Sequence, residues 1–216
     1  MTLVELHTHP RRGKHGLDMA VRMLTQAAYR QIHVLCFTDH HEVWTPDELA
    51  EVSRLAGDPP VVLLSGQEVS TAEGMDVLVF GWPDAIKRGT PMDRLQELFG
   101  GVPGCGIPMV WAHPFRQGMK SWDKNAEANF RKFDAIEIIN GNKRHTDADA
   151  TMGYNDWRIY RFPATAGTDS HRWRSVGTHP TAFLHPIRNI LELCEELRAG
   201  RCLPAAYLEG EPCDLS

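Results

Sequence analysis

The chain has 216 residues, of which 42% are hydrophobic, and carries a formal net charge of −5 with an isoelectric point near 6.1. That content can build one domain with a sizeable core and excludes intrinsic disorder, while the acidic balance argues against a sequence-independent binder of duplex nucleic acid. No apolar run approaches the ~20 residues of a membrane span, Met1–Glu5 lacks the basic start of a signal peptide, and five cysteines without a CxxC pair fit reduced thiols, so a cytoplasmic protein is the expectation.

In chain order, short β-branched runs alternate with helical patterns. A strand predicted over Leu3–His7 runs into His7-Thr8-His9, whose two imidazoles share one face at i and i+2. His15 follows in a loop, ahead of a helix predicted over Leu17–Tyr29 that carries Asp18 in its first turn. Ile32–Thr38 reads as the second strand and ends on Asp39-His40. Thr45-Pro46-Asp47-Glu48 then signals a helix start: an N-cap, a proline at the first position and acids in the first turn. Val61–Val69 contains Gly66-Gln67-Glu68, and Met75–Phe80 carries Asp76 near its start. A helix over Met92–Phe99 precedes the strand Ile107–Ala112, which ends on His113-Pro114. Asp123–Phe130 is predicted helical, Ala135–Asn140 a strand, Ala148–Tyr160 a helix and Ala164–Thr168 a strand ending on Asp169-Ser170-His171. Thr181–Leu184 and Ile187–Ala199 complete the pattern as strand and helix, and the stretch after Leu203 reads as a loosely held tail. No linker divides the chain, so residues 1–203 are expected to form one domain and 204–216 the tail.

Imidazole and carboxylate together form the ligand set of a hydrolytic transition-metal site. A lone histidine is more often a hydrogen-bonded structural residue, and Asp-His after a strand can cap a helix. Here, however, six histidines and two acids recur at one end of successive predicted strands. Residues at the C-terminal ends of several parallel strands meet only if the sheet curls, which favours a TIM-like (β/α) barrel with its site on one rim. His33 and His185 lack that placement, and His41, His145 and His179 are further rim candidates.

The ordered motifs His7-Thr8-His9, Thr38-Asp39-His40, Gly66-Gln67-Glu68-Val69-Ser70, His113-Pro114 and Gly167-Thr168-Asp169-Ser170-His171 resemble those of the PHP (polymerase and histidinol phosphatase) family across nearly the whole chain. The resemblance implies a distorted (β/α)7 barrel holding two or three divalent ions of zinc, manganese or iron. By position it assigns His7, His9, Glu68 and Asp169 to one ion, Glu68 as a bridge to a second held by His113, and His15, His40 and His171 to a third. Many members have a further histidine shortly after the bridging glutamate; Asp76 stands there, either as a harder oxygen ligand or as a turn residue. At the third site Asp18 competes with His15. The bridging place argues against an amidohydrolase, which would use a modified lysine where this chain has Glu68 and no lysine between Lys14 and Lys87.

Basic residues follow the motifs: Arg11, Arg12 and Lys14; Arg116 and Lys120; Lys143 and Arg144; Arg172 and Arg174. On a parallel barrel these loops share the metal rim, giving an acidic protein a basic mouth for an anionic substrate. Arg116, Arg172, Lys143 and Arg144 are the candidate phosphate contacts, since guanidinium groups match phosphate geometry. Trp44, Trp122 and Trp173 also follow motifs and offer stacking faces for a ring-bearing substrate. The expectation is hydrolysis of a small phosphomonoester or phosphodiester by a metal-bridging hydroxide, with Glu68, Asp169 and His171 as catalytic residues. The alternatives are a 3′ exonuclease acting on single strands and a non-catalytic metal-binding module; oligomeric state stays open.

Overall fold

In a computed structural model of the protein, residues 1–10, 15–100, 106–116, 128 and 130–208 are described. The predicted helix over Asp123–Phe130 falls mostly outside them, as do Arg11, Arg12, Lys14, Lys120 and Trp122.

Nine strands form one sheet that curls into a nearly closed barrel: β1 (Thr2–Glu5), β2 (Val34–Phe37), β3 (Val62–Ser70), β4 (Asp76–Phe80), β5 (Met109–Ala112), β6 (Ala135–Asn140), β7 (Ala164–Gly167), β8 (Thr181–Phe183) and β9 (Cys202–Pro204). Their spatial order is β7-β6-β5-β4-β3-β2-β1-β8-β9. The pairs β1–β2, β2–β3, β5–β6 and β6–β7 are parallel. β4 runs antiparallel to both β3 and β5, so the sheet is mixed and not the all-parallel one expected from β-then-α alternation. This has a simple cause: only Thr71–Met75 separates β3 from β4, which permits a hairpin and is too short for a crossover.

The ends of the sheet meet at the rim. Thr8 bridges Ser170 in parallel, with His9 N donating to Ser170 O at 2.8 Å and Ser170 N to His7 O at 3.3 Å. Lower down, β8 pairs with β1 and β9 with β8, both antiparallel, and this pair of strands fills the gap between β1 and β7. Thr181 Oγ1 stitches the seam by donating to Ala166 O and accepting from Ala166 N. β9 ends on Pro204, where the stretch read as a tail begins. The turn that follows is held too, since Tyr207 stacks on Trp157 at 5.4 Å.

Helices cover the outside of the sheet. In α1 (Gly16–Tyr29) the buried residues Ala20, Met23, Leu24 and Ala27 recur at helical spacing and pack with Leu35, Phe37 and Val52. Full burial of each large side chain there contributes roughly 1.5–3 kcal/mol. α2 (Pro46–Leu55) starts at the N-cap the sequence announced, and the structure completes it as a capping box, Thr45 accepting from Glu48 N and Glu48 accepting from Thr45 N. α3 (Met92–Phe99) precedes β5, α4 (Asp147–Tyr160) begins with a second capping box on Thr146 and Asp149, and Asn189 caps α5 (Ile190–Arg198). Inward positions Val34, Cys36, Leu64, Leu78, Phe80, Val110, Ala112 and Ala135 form one cluster with Leu193 and Leu197 of α5. Cys194 of α5 reaches the carbonyl of Phe80, at the end of β4 away from Asp76, so α5 covers the end of the barrel opposite the rim. Among the described residues no helix is long and apolar enough to cross a membrane.

Candidate metal centre

The rim collects the sequence motifs because parallel strands finish there. His7 and His9 extend past β1, His40 past β2, Glu68 lies near the end of β3, His113 follows β5, and Asp169 and His171 follow β7. Asp76 joins them from the opposite chain direction: as the first residue of an antiparallel strand it lies beside Ser70 and Ala112, at the same rim.

Donor atoms converge in four groups: His7, His9, Glu68 and Asp169; Glu68, Asp76 and His113; His9, His40 and His171; and His7, His113 and Glu137. Glu68 is the hub. Its Oε2 lies 3.4 Å from His7 Nε2, 3.2 Å from His9 Nε2 and 3.0 Å from His40 Nδ1, and its Oε1 lies 3.0 Å from His113 Nε2. Asp169 Oδ1 is 3.2 Å from His9 Nε2 and 3.7 Å from His7 Nε2. The rings pack on one another, His9 on His40 at 4.6 Å and on His171 at 4.5 Å. His113 and Asp169 both hold left-handed backbone, φ 35° and 48°. Such strain in residues with side chains collects at functional sites.

The donor set fits divalent cations. His7 Nε2, both ring nitrogens of His9, Glu68 Oε2 and His113 Nδ1 are buried with no hydrogen-bond partner, a costly arrangement for polar atoms unless something else satisfies them. Electrostatics agree. Burial opposes a charge on His7, but the carboxylates of Glu137, Glu68 and Asp169 outweigh it and raise the imidazole well above its ordinary range. Burial also opposes ionisation of Glu68 and Asp169, yet His7 and the neighbouring imidazoles hold both carboxyls low. At His40, burial and the charges on His9 and His7 press the other way and lower it. The surroundings thus favour the ionised carboxylates, the form that can ligate a cation.

His15 occupies the N-cap position of α1, exposed at the cavity edge, and is in none of the four groups. Its competitor Asp18 pairs with Arg22 at 2.8 Å on the helix surface. Of the other histidines, His33 accepts from Leu3 N, His41 contacts Ile86 O, His179 contacts the Thr178 hydroxyl and His185 pairs with Glu196, whereas both ring nitrogens of His145 are buried without a hydrogen-bond partner and burial lowers its imidazole below the ordinary range.

A cavity of about 1070 Å³ opens over the cluster. His40, Glu68, Asp76, Asp169 and His171 line it together with Arg116, Lys143, Arg144 and Arg172. Arg116 reaches deepest, Nη1 lying 2.6 Å from Asp169 Oδ2 and Nη2 2.8 Å from His113 Nε2. Of the tryptophans that follow motifs, Trp44 and Trp173 do not serve as stacking platforms. Trp44 is buried, donates to Asp39 Oδ2 at 2.8 Å and packs on Phe37, while Trp173 packs with the α1 cluster under Arg174.

Sequence reasoning missed three residues. Glu137 is fully buried beside His7. Glu5 accepts from the backbone N–H groups of His7, Thr168 and Gly177, tying the first and last motifs together, and burial pushes its carboxyl up to about 7. Asn142 donates to Asp169 Oδ2 at 3.2 Å. The available signal was a glutamate inside an otherwise apolar strand, as in Ala135-Ile136-Glu137-Ile138-Ile139.

A family model described as PHP-associated matches residues 158–202. The fold is similar to that of PsfC from Pseudomonas syringae PB-5123, with TM-score 0.65 and 23% identity over 86% of this chain and 83% of that one. It is also similar to a proposed metal-dependent phosphoesterase from Bifidobacterium adolescentis, with TM-score 0.53 and 13% identity over 80% of this chain and 88% of that one. No curated protein matches the chain.

Proposed function

We propose that the chain is a PHP-family metal-dependent phosphoesterase hydrolysing a small phosphomonoester or phosphodiester, a reading supported by the PHP-associated match over residues 158–202 and by the likeness of fold. The observation that carries this reading is a buried cluster of unsatisfied imidazole and carboxylate donors beneath a cavity walled by four basic side chains. His7, His9, Glu68 and Asp169 would hold one cation, Glu68, Asp76 and His113 a second, and His40 and His171 with His9 a third. Divalent manganese, iron or zinc held there would supply Lewis acidity toward phosphoryl oxygens and acidify water.

The chain's own residues bind and orient. Arg116 is fixed by Asp169, and its fork can present the remaining N–H groups to phosphate oxygens. Lys143, Arg144 and Arg172 stand on the loops after β6 and β7 and draw the anion into the mouth. Glu68 and Asp169 keep their charges because the imidazoles around them favour the ionised form. His171, on the cavity wall against the His9 ring, completes the catalytic set.

Release of inorganic phosphate from p-nitrophenyl phosphate, sugar phosphates and nucleotides, with manganese, iron or zinc added, tests the reading. His9→Ala and Asp169→Ala are expected to lose bound metal and at least about a hundredfold in rate, since each removes a ligand. Activity unchanged in both variants would overturn the assignment.

A further inference from the structure

We infer that Glu137 is a positioning residue for the metal ligands, one buried carboxylate that orients the His7 ring and anchors His113 by its backbone. The inference rests on the metal reading above and deepens it. Glu137 shares the inward face of β6 with Ala135 and is buried among protein atoms. Its Oε1 lies 3.0 Å and its Oε2 3.3 Å from His7 Nδ1. Oε2 also accepts from His113 N at 3.0 Å and from Asn140 Nδ2 at 2.9 Å. The amide N–H and the Asn140 NH₂ are donors only, so the oxygen they share must be an acceptor.

That constraint fixes the imidazole. In the neutral imidazole, the form that can ligate, giving Nδ1–H to Glu137 leaves the lone pair of His7 on Nε2, which faces Glu68 Oε2 and Asp169 Oδ1 and has no hydrogen-bond partner. The opposite tautomer would point a proton into the cluster and could not ligate. His7, His113 and Glu137 do form a group of converging donors, but both carboxylate oxygens are already taken up by hydrogen bonds, which makes Glu137 a support for ligands. At His113 the bond secures a left-handed backbone, φ 35°, that sends the ring back to Glu68 Oε1.

Two independent features point the same way. A Cβ on Gly167 would collide with Glu137 Oε1 and come within 2.6 Å of His7 Cβ, so β7 is bare where the carboxylate and imidazole meet. Asn140 passes the constraint on: its Oδ1 accepts from Asn142 N at 3.0 Å, and Asn142 Nδ2 donates to Asp169 Oδ2 at 3.2 Å. Three ligands from three strands therefore hang on one network.

Glu137→Gln tests this, because the amide keeps the volume but puts an NH₂ either against His7 Nδ1 or against two other donors. Metal-stripped full-length protein is titrated with manganese and with zinc by calorimetry, with elemental analysis for stoichiometry and circular dichroism for folding. Glu137→Gln and Glu137→Asp are expected to fold and to bind the tightest ion about 10–100-fold more weakly than wild type. Glu196→Gln removes another buried carboxylate, bonded to His185 and Arg201, and is expected to lower the melting temperature without changing metal affinity. Either folded Glu137 variant binding within twofold of wild type, or Glu196→Gln weakening the metal equally, overturns the role of Glu137. A wild-type chain that takes up no ion removes the metal reading itself.

Discussion

Arg116 touches two candidate ligands at once, Asp169 and His113, and so would join substrate capture to the proposed metal centre. Lysine there could keep the charge but not the fork. Arg116→Lys is expected to raise KM about tenfold, the effect of losing one charge-assisted hydrogen bond, with a smaller change in kcat; steady-state kinetics on the best phosphate ester checks it. At this scale the sequence exposed the converging side chains well, because His-x-His and acid-histidine pairs at strand ends are rare in combination. It hid residues that act through others. Glu137 lies 130 positions from the imidazole it holds, and nothing local to β6 names that partner. Trp44 misled for the converse reason: it follows a motif, but its Nε1 and ring turn inward to Asp39 and Phe37.

The β3–β4 hairpin explains how Asp76 reaches a rim otherwise built from strand C-termini. Reversal of one strand is enough, and no crossover helix is involved. The hairpin is tight at Gly66, where a Cβ would lie 2.7 Å from the Phe80 ring and 2.8 Å from Val79 O. Gly66→Ala should therefore destabilise the fold by about 1–3 kcal/mol, measured by chemical unfolding, and displace Glu68 two residues on. Strand positions were legible from β-branched runs, and helix starts from Thr45 and its capping partners. Strand direction was not, because it depends on the five residues between β3 and β4 and not on either strand's own composition. The brevity of Cys202–Pro204 concealed β9, since three residues show no alternation to distinguish strand from tail.

For the whole molecule, the barrel was inferable from where ligands fell along the chain, whereas the way it shuts was not. Opposite the metal rim, Glu196 of α5 binds His185 and Arg201, tying the segment before α5 to the one after it. Burial works against its charge, but Arg201 and His185 prevail and hold its carboxyl below the ordinary 4.5. A depressed carboxyl stabilises the folded state above its unfolded value, and that contribution disappears as pH falls through the folded value. The melting-temperature gap between wild type and Glu196→Gln should accordingly be full near neutrality and narrow below about pH 4.5, as thermal scans across pH 3–7 would reveal.

The last contacts that join β7 to β1 are the backbone bonds of His9 and Ser170 and the Thr8 bridge, and they lie among the residues proposed to hold the cations. A hoop fastened at the place where its cargo sits is clasped by that cargo. If ions load onto His7, His9 and Asp169 as proposed, they would also buckle the two ends of the sheet together, so the protein should be tightest when charged with metal and should begin to unlace at that clasp when stripped of it.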